Sequence, residues 1–352
     1  MGPMLILLLV ALALWSAGFV LLGRLRPCAR AGASAPSPSV GVVIPARNEE
    51  HNLPTLLRSL ASQSVKPREI LVVDDGSTDR TADLARQLGA TLIPSQPLPD
   101  GWRGKTWACH QGAQAATSEL LLFVDADTWF EADGLARILS AYLQGGGGAF
   151  SVGPHHAVRK PYEQLSLFFN CNMAAGTVPR GLFGQMLLVD RESYRRVGGH
   201  QAVQGRILEN FRLAAQFRAA GVPVRSVMGR GVFSFRMYPG GLRELIEGWT
   251  KGFASGAGQT PRGTMILIVL WMIGLMLPPV CGLVTGDWLR WGAVYLLCAA
   301  QVAWFGRQVG AFRWSSALLY PLPLIFFFAV FAWAVAHSGK RVSWKGREIH
   351  AD

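Results

Sequence analysis

The sequence predicts an α/β protein: one large domain on a mostly parallel sheet, a transmembrane helix before it and a helical membrane region after it. Three observations carry this prediction. Short apolar runs alternate with amphipathic segments between residues 40 and 124. Residues 4–22 are almost unbroken apolar sequence, and three more apolar runs follow at 264–285, 291–305 and 317–336. Half of the 352 residues are apolar and the mean hydropathy is +0.26, high for a soluble chain.

The first apolar run is about long enough to cross a bilayer core. A cleaved signal peptide fits it poorly, because Met1-Gly2-Pro3 supplies no basic n-region and Arg24, Arg26 and Arg30 follow the run. By the positive-inside rule the N-terminus lies outside and the chain after Arg24 lies in the cytoplasm. The expected organisation is an anchor at 4–23, a linker at 24–39, the main domain at 40–239, an interfacial helix at 240–260, two or three membrane helices within 264–336 and a basic cytoplasmic tail at 337–352. Three full spans would carry the tail outside, yet Lys340, Arg341, Lys345 and Arg347 belong inside. The run at 317–336 is the expected re-entrant or interfacial segment, because Pro321 and Pro323 interrupt its start.

The net charge is +12. The chain lacks the interleaved cations and aromatics that single-strand binders use, so no nucleic-acid partner is expected. An anionic lipid bilayer and a nucleotide diphosphate account for the charge instead. The five cysteines lack CxxC spacing, so neither a disulfide framework nor a zinc site is implied.

Within the main domain, Val40-Gly41-Val42-Val43-Ile44-Pro45 reads as the first strand. Leu53, Leu56, Leu57 and Leu60 recur at helical spacing after it. Strand 70–73, helix 79–88, strand 90–93, helix 107–116 and strand 120–124 follow, a β-α-β-α-β run that implies parallel strands with right-handed crossovers. Gly145-Gly146-Gly147-Gly148 marks a loop. Further strands are expected at 150–152, 184–189 and 231–236, and a helix at 208–220. Two stretches, 162–175 and 242–254, are apolar or amphipathic without being long enough to span, and Trp249 and Lys251 in the second suit a membrane interface.

Two acidic clusters about 50 residues apart follow buried-strand runs: Asp74-Asp75-Gly76-Ser77-Thr78-Asp79 and Asp125-Ala126-Asp127. Both fall at the C-terminal ends of strands, the edge where open α/β sheets bind ligands. Carboxylates repel phosphate, but they can hold a divalent cation that binds a diphosphate, and they can accept hydrogen bonds from ribose or a base. Either cluster alone could be a turn or a helix cap. Both in order, after apolar strands, point to a metal-dependent nucleotide-sugar site.

With Val43-Ile44-Pro45-Ala46-Arg47-Asn48-Glu49-Glu50 added to these clusters, the chain resembles the family 2 inverting glycosyltransferases, whose GT-A fold is Rossmann-like. Gly101-Trp102-Arg103-Gly104-Lys105, Phe235-Arg236-Met237-Tyr238, Glu247-Gly248-Trp249-Thr250-Lys251-Gly252 and Trp344-Lys345-Gly346-Arg347 narrow the resemblance to bacterial carotenoid-acid glycosyltransferases, over essentially the whole chain. The resemblance implies that Pro45, Ala46, Arg47 and Glu49 line the nucleotide pocket and that Asp75 bonds uracil or ribose while Asp74 holds the loop. It implies that Lys105 meets the diphosphate, with Ala126 alongside. Asp125 and Asp127 would bind the Mg²⁺ or Mn²⁺ that neutralises departing UDP.

The catalytic base departs from the family pattern. Relatives carry a Glu-Asp pair at a helix N-terminus beyond the metal motif, and its Asp deprotonates the acceptor. Here the pair is Glu209-Asn210, and an amide takes no proton at neutral pH. Either Glu209 is the base or none is needed. A carboxylic acid acceptor, with a pKa of roughly 4–5, attacks already ionised, so Asn210 suits ester formation. The Gln-x-x-Arg-Trp string of processive relatives is missing. That favours transfer of a single sugar and makes Arg236, Trp249 and Lys251 candidates for the acceptor mouth. His155, His156 and His200 lack ligand spacing and are expected in turns or core. The expected activity is transfer of a hexose, glucose first, from a UDP-sugar to a lipophilic acceptor at the bacterial plasma membrane. The acceptor is expected to be a carotenoid acid, with other lipid alcohols, a polysaccharide synthase and a non-catalytic sugar-nucleotide binder as the alternatives.

Overall fold

The computed structural model describes residues 2–29, 38–205, 208–257, 260–336, 342–344 and 347–349. They form two compact units, and each is built from separate stretches of chain.

The larger unit, Pro27–His155 with Thr177–Met237 and the tail strands, is organised by a mixed sheet. Its strands are β1 (Val40–Ala46), β2 (Glu69–Asp74), β3 (Thr91–Pro94), β4 (Leu120–Val124), β6 (Ala149–Gly153), β8 (Met186–Asp190) and β9 (Val224–Met228). Two short strands, β5 (Thr128–Phe130) and β10 (Phe233–Phe235), pair with each other, and β7 (His155–His156) is shorter still. The sheet order is β3-β2-β1-β4-β8-β6-β9. β3, β2, β1 and β4 run parallel, β8 runs against both neighbours, and β6 and β9 are parallel to each other. The strands named from sequence are present and the sheet is mostly parallel, with β8 alone reversed.

Period-two alternation explains why the sheet is covered on both faces. Val42, Ile44, Val72, Leu122, Val124, Phe150 and Leu188 face one core, roofed by Leu53–Ala61 and Gly134–Gln144. Val43, Leu71, Val73, Leu121, Phe123, Leu187 and Val189 face the other, covered by Gly104–Ala115 and Glu209–Ala219. The helix Gly134–Gln144 and strand β9 were not read from sequence, although Leu135, Ile138, Leu139 and Tyr142 have helical spacing and are buried.

Strand order reverses direction at β1: the chain steps outward through β2 and β3, then returns to place β4 on the other side. The loops leaving β1 and β4 therefore diverge and open a crevice at their C-terminal ends. The β1–β4 ladder ends at Val43↔Phe123, so Pro45, which has no N–H to donate, lies beyond it.

The second unit comprises Met1–Arg26, His156–Gly176 and Tyr238–Lys340. The excursion at 156–176 leaves the 40–239 boundary expected from sequence, because Leu167, Phe168, Phe169, Cys171, Ala174 and Ala175 are apolar and buried among helices. Pro3–Leu22 and Arg262–Thr285 are long and apolar enough to cross a membrane. They meet closely at Gly274, where an added Cβ would lie 2.6 Å from the Trp15 backbone nitrogen. Two buried polar pairs lie here: Trp271 Nε1 donates to Gln301 Oε1 at 2.7 Å and Tyr320 Oη to the Leu275 carbonyl at 2.8 Å. The run at 317–336 is broken. Helix Trp314–Leu318 stops, and Pro321–Ala336 begins after it, because a residue preceding proline is pushed out of helical geometry. The 16 described residues of the second helix are about 24 Å long. Of the basic tail, Lys340, Arg341 and Lys345 lie outside the described residues, as does half of the linker, residues 30–37.

Candidate active site

The loops after β1 and β2 are stitched together. Arg47 Nη1 donates to the Asp75 carbonyl at 2.5 Å, and its guanidinium lies 3.9 Å from Asp75 Oδ2. Asn48 N–H donates to Ser77 Oγ, Thr78 N–H to Asn48 Oδ1, and Glu49 N–H to Thr81 Oγ1 at 2.7 Å. Asp74 Oδ1 accepts from Ser77 N–H, the loop-holding role expected of it. Gly76 supplies the turn with φ +68°, which favours glycine. Asp79 takes N–H donations from Glu50 and Thr81. Burial works against its charge, but these bonds and the Thr81 hydroxyl hold its carboxyl below the usual range. It is a structural pin.

At the end of β4, Asp125 N–H donates to the Gln185 carbonyl, and Thr128 returns its N–H and hydroxyl to the Asp125 carbonyl. This turn carries Asp127, which is half-buried, and sends the Ala126 side chain into the hydrophobic core. The expectation of Ala126 beside the nucleotide thus fails for its side chain, because a buried methyl stabilises the core.

One side chain joins the two halves of the site. Lys105, near the start of Gly104–Ala115, places Nζ 2.8 Å from Asp125 Oδ1 and 3.0 Å from Oδ2. It is also 3.1 Å from Glu209 Oε1 and donates to the Gly184 carbonyl at 2.8 Å. Burial opposes its charge, but Asp125 and then Glu209 outweigh that, so the ammonium is held well above its usual range. Glu209 opens helix Glu209–Ala219 with its side chain only 9% exposed. Asn210 beside it donates Nδ2 to the Leu182 carbonyl at 2.5 Å. A single cleft is lined by Pro45, Lys105, Asp125, Gly184, Glu209 and Asn210.

Pro45, Lys105, Asp125, Glu209 and Asn210 thus come together, and Arg47, Glu49 and Asp75 form the adjoining loop junction, with Ala46 buried at the end of β1. Arg236 directly follows β10. Trp249 is packed inside the helical unit, where its indole donates to Ser166 Oγ at 3.0 Å and stacks on Phe169. The Lys251 side chain lies outside the described residues. Sequence reading missed the segment 182–185, which meets Asn210, Lys105 and Asp125 through backbone carbonyls. Main-chain oxygens leave no signature in side-chain type.

Beneath the cleft, His200 is 3% exposed, its Nδ1 2.8 Å from Tyr194 Oη. Burial, then Lys105 and His110, lower its pKa to about 3, so it is neutral and internal. The unfolded chain takes up this proton near the ordinary 6.5 and the folded chain does not. Stability is therefore expected to fall by up to about 1.4 kcal/mol per pH unit as pH drops from 6.5 toward 3. Urea midpoints at pH 5 and 7 check this, and His200→Gln should flatten the slope.

Among the described residues no three His, Cys, Asp or Glu side chains could hold a metal by themselves. Mg²⁺ is commonly bound through one or two carboxylates plus substrate phosphates. The strand-end pair Asp125 and Asp127 fits a cation whose shell a diphosphate completes.

A nucleotide-type crevice at a sheet switch point, with an Asp-x-Asp turn at its lip, is the frame of a GT-A sugar transferase, and the chain belongs to the family 2 glycosyltransferases. The sequence model described as Glycosyl transferase family 2 matches residues 41–197. The chain is 36% identical over 328 residues to the 4,4'-diaponeurosporenoate glycosyltransferase of Staphylococcus aureus strain USA300, covering 87% of each, and equally to that of strain MRSA252. Among solved structures, the mannosyltransferase PcManGT from Pyrobaculum calidifontis, in complex with GDP-Man and Mn²⁺, is similar with a TM-score of 0.52 at 20% identity, covering 94% of this chain and 97% of that one.

Proposed function

We propose that this chain is a membrane-bound inverting hexosyltransferase that moves a sugar, glucose first, from a UDP-sugar to the carboxylate of a carotenoid acid, giving a glycosyl ester. The observation that carries this reading is the start of helix Glu209–Ala219. Asn210, where the family carries its base, is an amide committed to a backbone carbonyl. An amide takes no hydroxyl proton, and an ionised carboxylic acid needs none taken. The 36% identity to a relative named for a carotenoid acid supports the acceptor class, and two helices of spanning length support an apolar acceptor met at a membrane.

In this reading Asp75, with Arg47 behind it, receives the uridine, and Glu49 and Pro45 wall the pocket. Lys105 supplies positive charge to the diphosphate. Asp125 and Asp127 would hold Mg²⁺ or Mn²⁺, which when bound provides Lewis-acid neutralisation of the leaving group. The N-terminus of Glu209–Ala219 favours an anionic acceptor through its dipole, and neutral Asn210 adds no repulsion.

Glu209→Gln should then keep kcat within about tenfold of the parent, whereas loss of a true general base costs roughly 10²–10⁴-fold. Mass spectrometry of lipid extracts from cells with and without the protein should reveal a glycosylated acid that releases sugar in mild alkali. An alkali-stable product together with a nearly dead Glu209→Gln would make Glu209 a base and the acceptor an alcohol.

A further inference from the structure

The geometry points to Lys105 as an internal counter-ion that occupies the metal's carboxylate until a diphosphate draws it away, so that metal and nucleotide load together. The inference rests on the reading that Asp125 is a metal ligand. Four oxygens surround Nζ at 2.8–3.1 Å: both of Asp125, one of Glu209 and the Gly184 carbonyl. This is an oxygen cradle of the kind that suits a cation, and the cation in it is the protein's own.

Charge decides the order of events. Asp125, Asp127, Glu209 and Lys105 together carry two net negative charges. A divalent ion arriving alone must compete with an ammonium already touching both Asp125 oxygens, and would have to sit close beside it on the same carboxylate. Like charges at such distances in a half-buried cleft repel strongly. A diphosphate changes both conditions. It offers Lys105 new anionic partners, and its oxygens complete the shell of a cation on Asp125. Lys105 sits near the end of a flexible stem, about a quarter exposed, so the transfer requires side-chain rotation only.

The test is Mn²⁺ binding, read by electron paramagnetic resonance of free Mn²⁺ on the purified full chain, with and without UDP. The parent protein should bind Mn²⁺ weakly alone and about tenfold or more tightly with UDP, within the ordinary range of coupling between sites. In Lys105→Met, Mn²⁺ alone should bind about tenfold tighter than to the parent, and the effect of UDP should shrink below about threefold. Lys105→Gln, which can still donate to the Gly184 carbonyl, repeats the test if Lys105→Met unfolds. Mn²⁺ affinity without UDP that is unchanged or weaker in the folded variants overturns the latch and leaves the metal assignment standing. Absence of Mn²⁺ binding to every protein, even with UDP, removes Asp125 as a metal ligand and the latch with it.

Discussion

Asp127→Ala is expected to abolish sugar transfer while leaving the protein folded. Asp127 is the second carboxylate of the Asp-x-Asp turn that closes β4. Thr128 N–H and Oγ1 both bond to the Asp125 backbone carbonyl and help to hold the turn. If Asp127 positions the metal as proposed, losing it removes several kcal/mol of stabilisation of the departing diphosphate. That corresponds to a fall in kcat of about 10³-fold or more. EDTA should reproduce the loss in the parent protein, and added Mn²⁺ should restore the parent but not the variant. Transfer that survives both EDTA and the substitution would end the metal assignment, with the fold and family untouched.

Gly112→Leu should produce the largest loss of stability, and activity should fall with it. Gly112 lies in Gly104–Ala115, where that helix presses on β1 and β2. A Cβ there would lie 2.4 Å from Val43 Cγ1 and 3.0 Å from Val73 Cγ2. Both valines are fully buried in the centre of the sheet, so neither can give way. A leucine forces the helix outward, at about 3 kcal/mol or more. Thermal unfolding followed by circular dichroism should shift down by about 6–12 °C. Lys105 is two turns up the same helix, on the same face, so its ammonium should leave Asp125 and Glu209. Gln114→Ala, on the exposed side of that helix, should change stability by less than about 0.5 kcal/mol. An equal shift in both variants would show that the Gly112 contact is not the cause.

Much of the fold was legible because its signals are local. Val40–Ala46, Glu69–Asp74 and Leu120–Val124 are continuous apolar runs ending in polar residues, and a buried strand needs little else to be recognised. The leucines at 53, 56, 57 and 60 show a helix by spacing alone. The short strand β5 was not visible: three residues are too few to display a period, and it becomes a strand only by pairing with β10. The reversed direction of β8 likewise has no local signal, since a buried strand has the same composition in either direction.

The same division holds at the site. Sequence alone determined the family, the strand-end carboxylates, the amide at Asn210 and the apolar segments at both ends, because each depends on residue type and spacing along the chain. Only the tertiary structure decided that Lys105 joins Asp125 to Glu209, that Asn210 is spent on the Leu182 carbonyl, that Ala126 faces the core and that Trp249 is packed within the helical unit. Those facts depend on which distant atoms the fold brings within hydrogen-bonding or packing distance. Two of the partners are backbone carbonyls, which every residue carries and no sequence pattern can single out.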